Sequence, residues 1–319
     1  MSSARPRLLS TTLALPLLVV AVGLAACAQE AERNPLAGPS TTSTSTTITT
    51  APTTTTVAPP TTTVPVDVHA LRPPTPAGDP AGLAAQITAA ETTLRDPAAT
   101  TEAVATAALS QQVAYRQLGS HPEWDAAVLA YMPAHLHWAV QHHATARREF
   151  RAMHKTLSTT LPPWRIIPPE PADLLLATYV EAEQAFGIPW SFLAAIHLVE
   201  TGTGRIRGTS TSGAQGPMQF LPATWAAYGG GGDINSTRDS IFGAARYLAA
   251  NGGASGNLAG ALWNYNHSDF YVRGVTLYAE VIGEHPQAFR ALYHWGVWYL
   301  TAGGEVFLPV GYDGGTPPP

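Results

Sequence analysis

The residues best placed to do chemistry are one acid and a few polar groups that follow it. Glu200 lies seven residues after Leu193 and four after Ile196, so it extends the apolar stripe of a helix. Burial disfavours a carboxylate's charged form and raises its pKa. A proton donor working near neutral pH needs that shift. The other reading is a buried glutamate that caps or braces a neighbouring loop. Downstream come Ser210, Gln219 and the pair Tyr265-Asn266. Gln219 offers a donor and an acceptor, suited to the acetamido and hydroxyl groups of a sugar. Gly213 and Gly216 would let backbone approach a ligand closely. Phe220, Trp225, Tyr228, Trp263 and Tyr265 are candidate stacking faces, although an aromatic residue serves as readily in a core.

The order of these residues carries more than their types. Ser210-Thr211-Ser212-Gly213-Ala214-Gln215-Gly216-Pro217-Met218-Gln219 follows the helix acid, with 19 residues from Glu200 to Gln219, and Tyr265-Asn266 comes third. This arrangement resembles the lytic transglycosylase family. The run from Gly216 through Phe220-Leu221-Pro222 to Thr224-Trp225 is most similar to the branch related to membrane-bound lytic transglycosylase B. The resemblance covers roughly residues 165–285. It implies a lysozyme-like catalytic fold with one catalytic acid, here Glu200, and a groove around it lined by Ser210, Gln219, Tyr265 and Asn266. Phe220 joins them as a candidate sugar contact, Met218 packs behind the groove wall, and Tyr265 is expected to hydrogen-bond Glu200. The implied partner is a peptidoglycan glycan strand, cut between N-acetylmuramic acid and N-acetylglucosamine with formation of a 1,6-anhydro ring. No metal or organic cofactor is implied.

Most glycosidases use two carboxyl groups. Near these motifs only Glu200 has a helix-stripe reason to be buried, whereas Asp233, Asp239 and Asp269 fall at loop or cap positions. Two rival readings follow from that count: a lysozyme-like hydrolase in which Asp233 or Asp269 activates water, and a wall-binding lipoprotein without turnover.

The elements that must position these groups read as helices. Leu175, Tyr179, Ala182 and Phe186 step along one face, and Gly187 permits a left-handed stop. Pro189 opens the helix of Glu200, and Thr201-Gly202-Thr203-Gly204 ends it. Pro222 and Thr224 open a short helix closed by Gly229; Ser236 or Thr237 caps the next, and Ser268 caps one beginning near Tyr271. Upstream, residues 80–164 form an alanine-rich helical region punctuated by prolines. It holds His135, His137, His142, His143 and His154, whose spacing suits a solvated helix face better than a metal site. After Gly283, the residues Phe289, Leu292, Trp295, Trp298 and Tyr299 suggest one more packed helix, so residues 286–319 are expected to be a C-terminal helix and tail.

The chain has 319 residues, 17 Lys and Arg against 22 Asp and Glu, 12% charged and 45% hydrophobic residues. The mild acidity argues against a nucleic-acid binder, which carries a basic stripe. The single cysteine, Cys27, excludes intramolecular disulfides and cysteine-built zinc clusters. Arg5 and Arg7 precede an apolar run from Leu8 to Leu24, the charge order of an export signal. That run ends in Leu24-Ala25-Ala26-Cys27, which resembles the lipobox of bacterial lipoproteins. Residues 1–26 then read as a lipoprotein signal peptide, with Cys27 as the lipid attachment point on the outer face of a bacterial cytoplasmic membrane. Residues 27–79 read as a disordered tether rich in Thr and Pro, with a reach on the order of 100 Å toward the wall. The expected architecture is therefore mainly α, a lysozyme-like domain with a helical region before it.

Overall fold

A computed structural model describes residues 66–285 and 287–315. The export signal, Cys27 and the tether up to residue 65 lie outside the described residues. The architecture is mainly helical. In chain order the elements are α1 (Pro80–Arg95), α2 (Thr101–Ser120), α3 (Asp125–Ala130), α4 (His137–Met153), β1 (Arg165–Ile166), α5 (Ala172–Phe186), α6 (Trp190–Thr201), β2 (Ile206–Arg207), α7 (Pro222–Tyr228), α8 (Thr237–Ala250), α9 (Leu258–Tyr265), α10 (Asp269–Glu284), α11 (Gln287–Tyr293), β3 (Val297–Thr301) and β4 (Gly304–Leu308). Among the described residues no helix is long and apolar enough to cross a membrane.

Local chemistry sets many of the boundaries. Side chains of Asp79, Thr100, Ser236, Asn257 and Ser268 accept hydrogen bonds from backbone amides in the first turns of α1, α2, α8, α9 and α10. Gly187 and Gly202 end α5 and α6 in left-handed conformations, φ 69° and 60°, which glycine adopts without a Cβ penalty.

Helix α10 is the axis of the assembly, packing against α4 on one side and α6 on another. Its buried stripe of Tyr271, Val275, Tyr278 and Ile282 meets both. Helix α6 is covered nearly all round, burying Leu193, Ala194, Ala195, Ile196 and His197. One continuous core joins Leu83, Ile87, Leu118 and Val140 of the early helices to Leu193, Ile196, Tyr271 and Ile282. The region before residue 165 is thus part of the same hydrophobic body that carries Glu200.

Three expectations need correction. The C-terminal segment is a short helix followed by an antiparallel hairpin, with Trp298 opposite Phe307 and Tyr299 opposite Val306. Aromatic and β-branched residues around Gly303-Gly304 favour that outcome over a helix. Glu305 fixes the hairpin to the helices through ion pairs with Arg116, at 2.8 Å, and Arg147. Second, residues 67–79 belong to the folded body and form a strap whose Val68, His69 and Leu71 face Ile166, Val297 and Leu308. Third, His143 is not on a solvated face. It is 2% exposed and stacks on Tyr115 at 4.3 Å.

Candidate active site

Glu200 is the penultimate residue of α6, and Tyr271 lies in the first turn of α10. Because these helices pack together, the Tyr271 hydroxyl reaches Glu200 and donates to its Oε1 at 2.7 Å. Glu200 keeps part of its surface accessible while protein surrounds it closely. Desolvation pushes its pKa up to about 7, against a smaller opposing pull from the Tyr271 hydrogen bond. Among the described residues no other carboxylate or cation contributes to this shift. Beneath the site His197, three residues back on α6, shares a 2.8 Å hydrogen bond between its Nδ1 and the Tyr179 hydroxyl. Burial lowers the His197 pKa to about 3, so this ring is neutral at physiological pH and adds no charge below the acid.

The turn from Gln215 to Phe220 forms one wall. Its ends pair with each other, the Gln215 amide to the Phe220 carbonyl at 2.8 Å and the reverse at 2.9 Å. Three neighbours hold it in place. The Thr201 hydroxyl, at the end of α6, donates to Pro217 O at 2.6 Å. The Met218 amide donates to Ser240 Oγ of α8 at 3.2 Å. The Tyr265 hydroxyl, at the end of α9, donates to Met218 O at 2.6 Å. Gly216 has φ 74°, and a Cβ there would sit 1.9 Å from Ile234 O. No other residue fits that position without moving backbone. Gln219 takes φ 52°, a conformation uncommon outside glycine.

The sequence-derived residues divide into two groups. Glu200, Gln219, Phe220 and Tyr265 belong to one assembly of contacts. Tyr265 does not bond Glu200 as expected. Its hydroxyl supports the turn, while its ring lies parallel to that of Tyr271, 6.4 Å away at an interplanar angle of 6°. The charge of Glu200 still opposes ionisation of both phenols, after burial as the larger cause. Gln219 is half-buried, with Nε2 donating to Gly216 O at 3.0 Å. Phe220 is only 3% exposed and packs edge-on against Trp225, Tyr247 and Tyr265, so it underlies the surface instead of offering a face. Met218 is fully buried, as its packing role requires.

Ser210 and Asn266 form the other group. The Ser210 hydroxyl accepts from the Ala214 amide at 2.9 Å and pairs with Ser212 Oγ, so its bonds are spent within its own loop. Asn266 follows α9 and is buried, and its backbone carbonyl accepts from the Ser268 amide. Neither side chain hydrogen-bonds to Glu200. Asp233 and Asp239 brace the loop before α8, where Asp233 Oδ1 accepts from the Asn235 amide and Asp239 Oδ2 from that of Asp233. Asp269 lies in the exposed first turn of α10.

Beyond Tyr265 the half-buried rings continue to Tyr247, 5.5 Å on, and from Tyr247 to Tyr228 at 4.9 Å. A row of tyrosines therefore leads away from the acid. Trp263, 44% exposed, stands apart from the row with its ring against His267.

The residue that sequence reasoning missed is Tyr271. One signal was available: it opens the buried stripe of α10, and a buried tyrosine hydroxyl requires an acceptor. The arrangement can give and retake a proton at Glu200 near neutral pH, beside an aromatic surface. The chain matches no protein-family model, no curated protein sequence and no solved structure.

Proposed function

We propose that this chain is a peptidoglycan lytic transglycosylase built on a lysozyme-like catalytic fold. The observation that carries the reading is Glu200, a carboxyl group poised at about 7 with one tyrosine donor and, among the described residues, no carboxylate acting on it. The ordered motifs from Ser210 to Gln219 and at Tyr265-Asn266 add support, as does the tyrosine row beside the acid.

In the proposed reaction protonated Glu200 gives its proton to the oxygen joining C1 of N-acetylmuramic acid to N-acetylglucosamine. The C1–O bond breaks, and the 2-acetamido group helps carry the charge developing on the sugar. The Glu200 carboxylate then takes the proton from the muramyl C6 hydroxyl, whose oxygen closes on C1. The acid is restored, no water is consumed, and the products are a free sugar hydroxyl and a 1,6-anhydro end. A side chain poised near neutral pH suits both halves of this exchange. Tyr271 orients the carboxyl, and Gln219 with the turn around it positions the glycan. An export signal, a lipid on Cys27 and a long tether would place the enzyme outside the bacterial cytoplasmic membrane, facing the wall.

Digestion of purified peptidoglycan followed by mass analysis tests the reading. The expected fragments carry anhydro ends and vanish with the Glu200→Gln variant. Fragments heavier by one water would instead identify a hydrolase. Glycan retention without any fragment release would identify a binding protein.

A further inference from the structure

Arg205 follows the left-handed turn that ends α6 and is 4% exposed. Its guanidinium donates to Gly202 O at 3.0 Å, Thr203 Oγ1 at 2.6 Å and Tyr293 O at 2.5 Å. These acceptors are uncharged, and among the described residues no carboxylate pairs with it. A buried cation without a counter-charge is costly. The C-terminus of α6 supplies about half an elementary charge of compensation, so part of the charge stays unmatched.

Arg205 also lines a small cavity of about 30 Å³ together with His69 and His294. His69 comes from the strap and His294 directly follows α11. Neither ring has a hydrogen-bond partner among the described residues. Burial, followed by the Arg205 charge, lowers the pKa of each ring, to about 4 for His294. Near pH 7 each is a neutral imidazole with one N–H to donate. Arg290 on α11 adds positive charge beside His294, and the acid that acts on the cluster is Asp67, near His69. The pocket, otherwise lined largely by apolar residues, presents a cation and two half-exposed imidazole donors in a space that admits water-sized groups.

We propose that this cavity binds a small monovalent anion such as chloride, held by Arg205, His69 and His294. The ion completes the charge of Arg205 and joins the strap to the turn behind the helix of Glu200.

The test uses the full chain at pH 7. Thermal melting is followed in sodium chloride and in sodium gluconate at matched ionic strength, and crystals soaked in bromide are examined for anomalous scattering. The site requires a saturable rise of about 3–6 °C at tenfold the dissociation constant in chloride alone, together with a bromide peak between Arg205 and the two imidazoles. His69→Phe, altered on the half-exposed strap, should fold and lose the chloride-specific rise. Equal melting of the unaltered chain in both salts, an empty cavity in bromide, or an undiminished chloride effect in the folded variant would each overturn the proposal.

Discussion

Two helix glutamates of this molecule receive the same tyrosine hydrogen bond, yet their pKa values move in opposite directions. Glu91 on α1 accepts from the Tyr115 hydroxyl at 2.7 Å, as Glu200 accepts from Tyr271 at 2.7 Å. Both are desolvated, which favours the neutral acid. Glu91 also accepts from Gln111 Nε2 at 2.8 Å and Arg95 Nε at 3.1 Å. Burial opposes its charge, but neighbouring His143, the Tyr115 and Gln111 bonds and Arg95 together hold its pKa below the ordinary carboxylate value. Burial keeps the His143 ring neutral down to about pH 4, so near neutrality the hydrogen bonds and Arg95 carry that effect. Among the described residues Glu200 has one side-chain donor and no cation, so desolvation prevails. The number of donors around a buried carboxylate, more than its depth, separates one held ionised from one that keeps its proton toward neutral pH.

Substitutions sharpen the contrast. Glu200→Gln should lower turnover on peptidoglycan by about 10³-fold or more, in line with loss of an acid–base group, while near-UV circular dichroism stays native. The folded pKa of Glu200 lies above its ordinary 4.5. The folded state therefore holds the proton more tightly, and stability falls as pH rises from about 4.5 through 7. Melting temperature should decline over that range in the unaltered chain and less in Glu200→Gln. Glu91→Leu should leave the pH profile of activity alone but cost about 3 kcal/mol in denaturant melts, since the Tyr115 and Gln111 donors lose their acceptor. The depressed pKa of Glu91 gives stability above the ordinary carboxylate pKa that is lost as pH falls. The penalty of Glu91→Leu should therefore shrink in acid.

Tyr271→Phe removes the bond that pulls the Glu200 pKa down. A rate loss of about tenfold, near 1.4 kcal/mol, should accompany a basic limb of kcat/KM moved to higher pH. Tyr265→Phe should have the smallest effect. Loss of its bond to Met218 O should lower the melting temperature by about 2–4 °C and leave that limb in place. A shifted limb in Tyr265→Phe would reverse the roles given to the two tyrosines.

The placement of Glu200 was legible because a stripe of Leu193 and Ile196 at helical spacing requires residue 200 to face inward. The ends of α6, α7 and α10 were equally legible, since Gly202, Pro222 and Ser268 act through their immediate neighbours. What escaped depends on tertiary partners. Tyr265 and Tyr271 are six residues apart in one segment, and only the packing of α10 on α6 decides which hydroxyl meets the acid. The strap from Asp67 to Asp79 reads as a continuation of the Thr/Pro tether because its docking rests on distant residues such as Ile166 and Arg205. The hairpin carried its own signal in Val297-Trp298-Tyr299 and Gly303-Gly304, which the apolar spacing of Phe289 to Trp298 obscured.

The account rests on the proton affinity of one carboxyl group. Titration of carbon-13-labelled glutamate side chains by NMR, with the Glu200 signal assigned by its absence from Glu200→Gln, measures that affinity directly. A midpoint near 7 is predicted; a midpoint near 4.5, with Glu200 ionised throughout the neutral range, would contradict it.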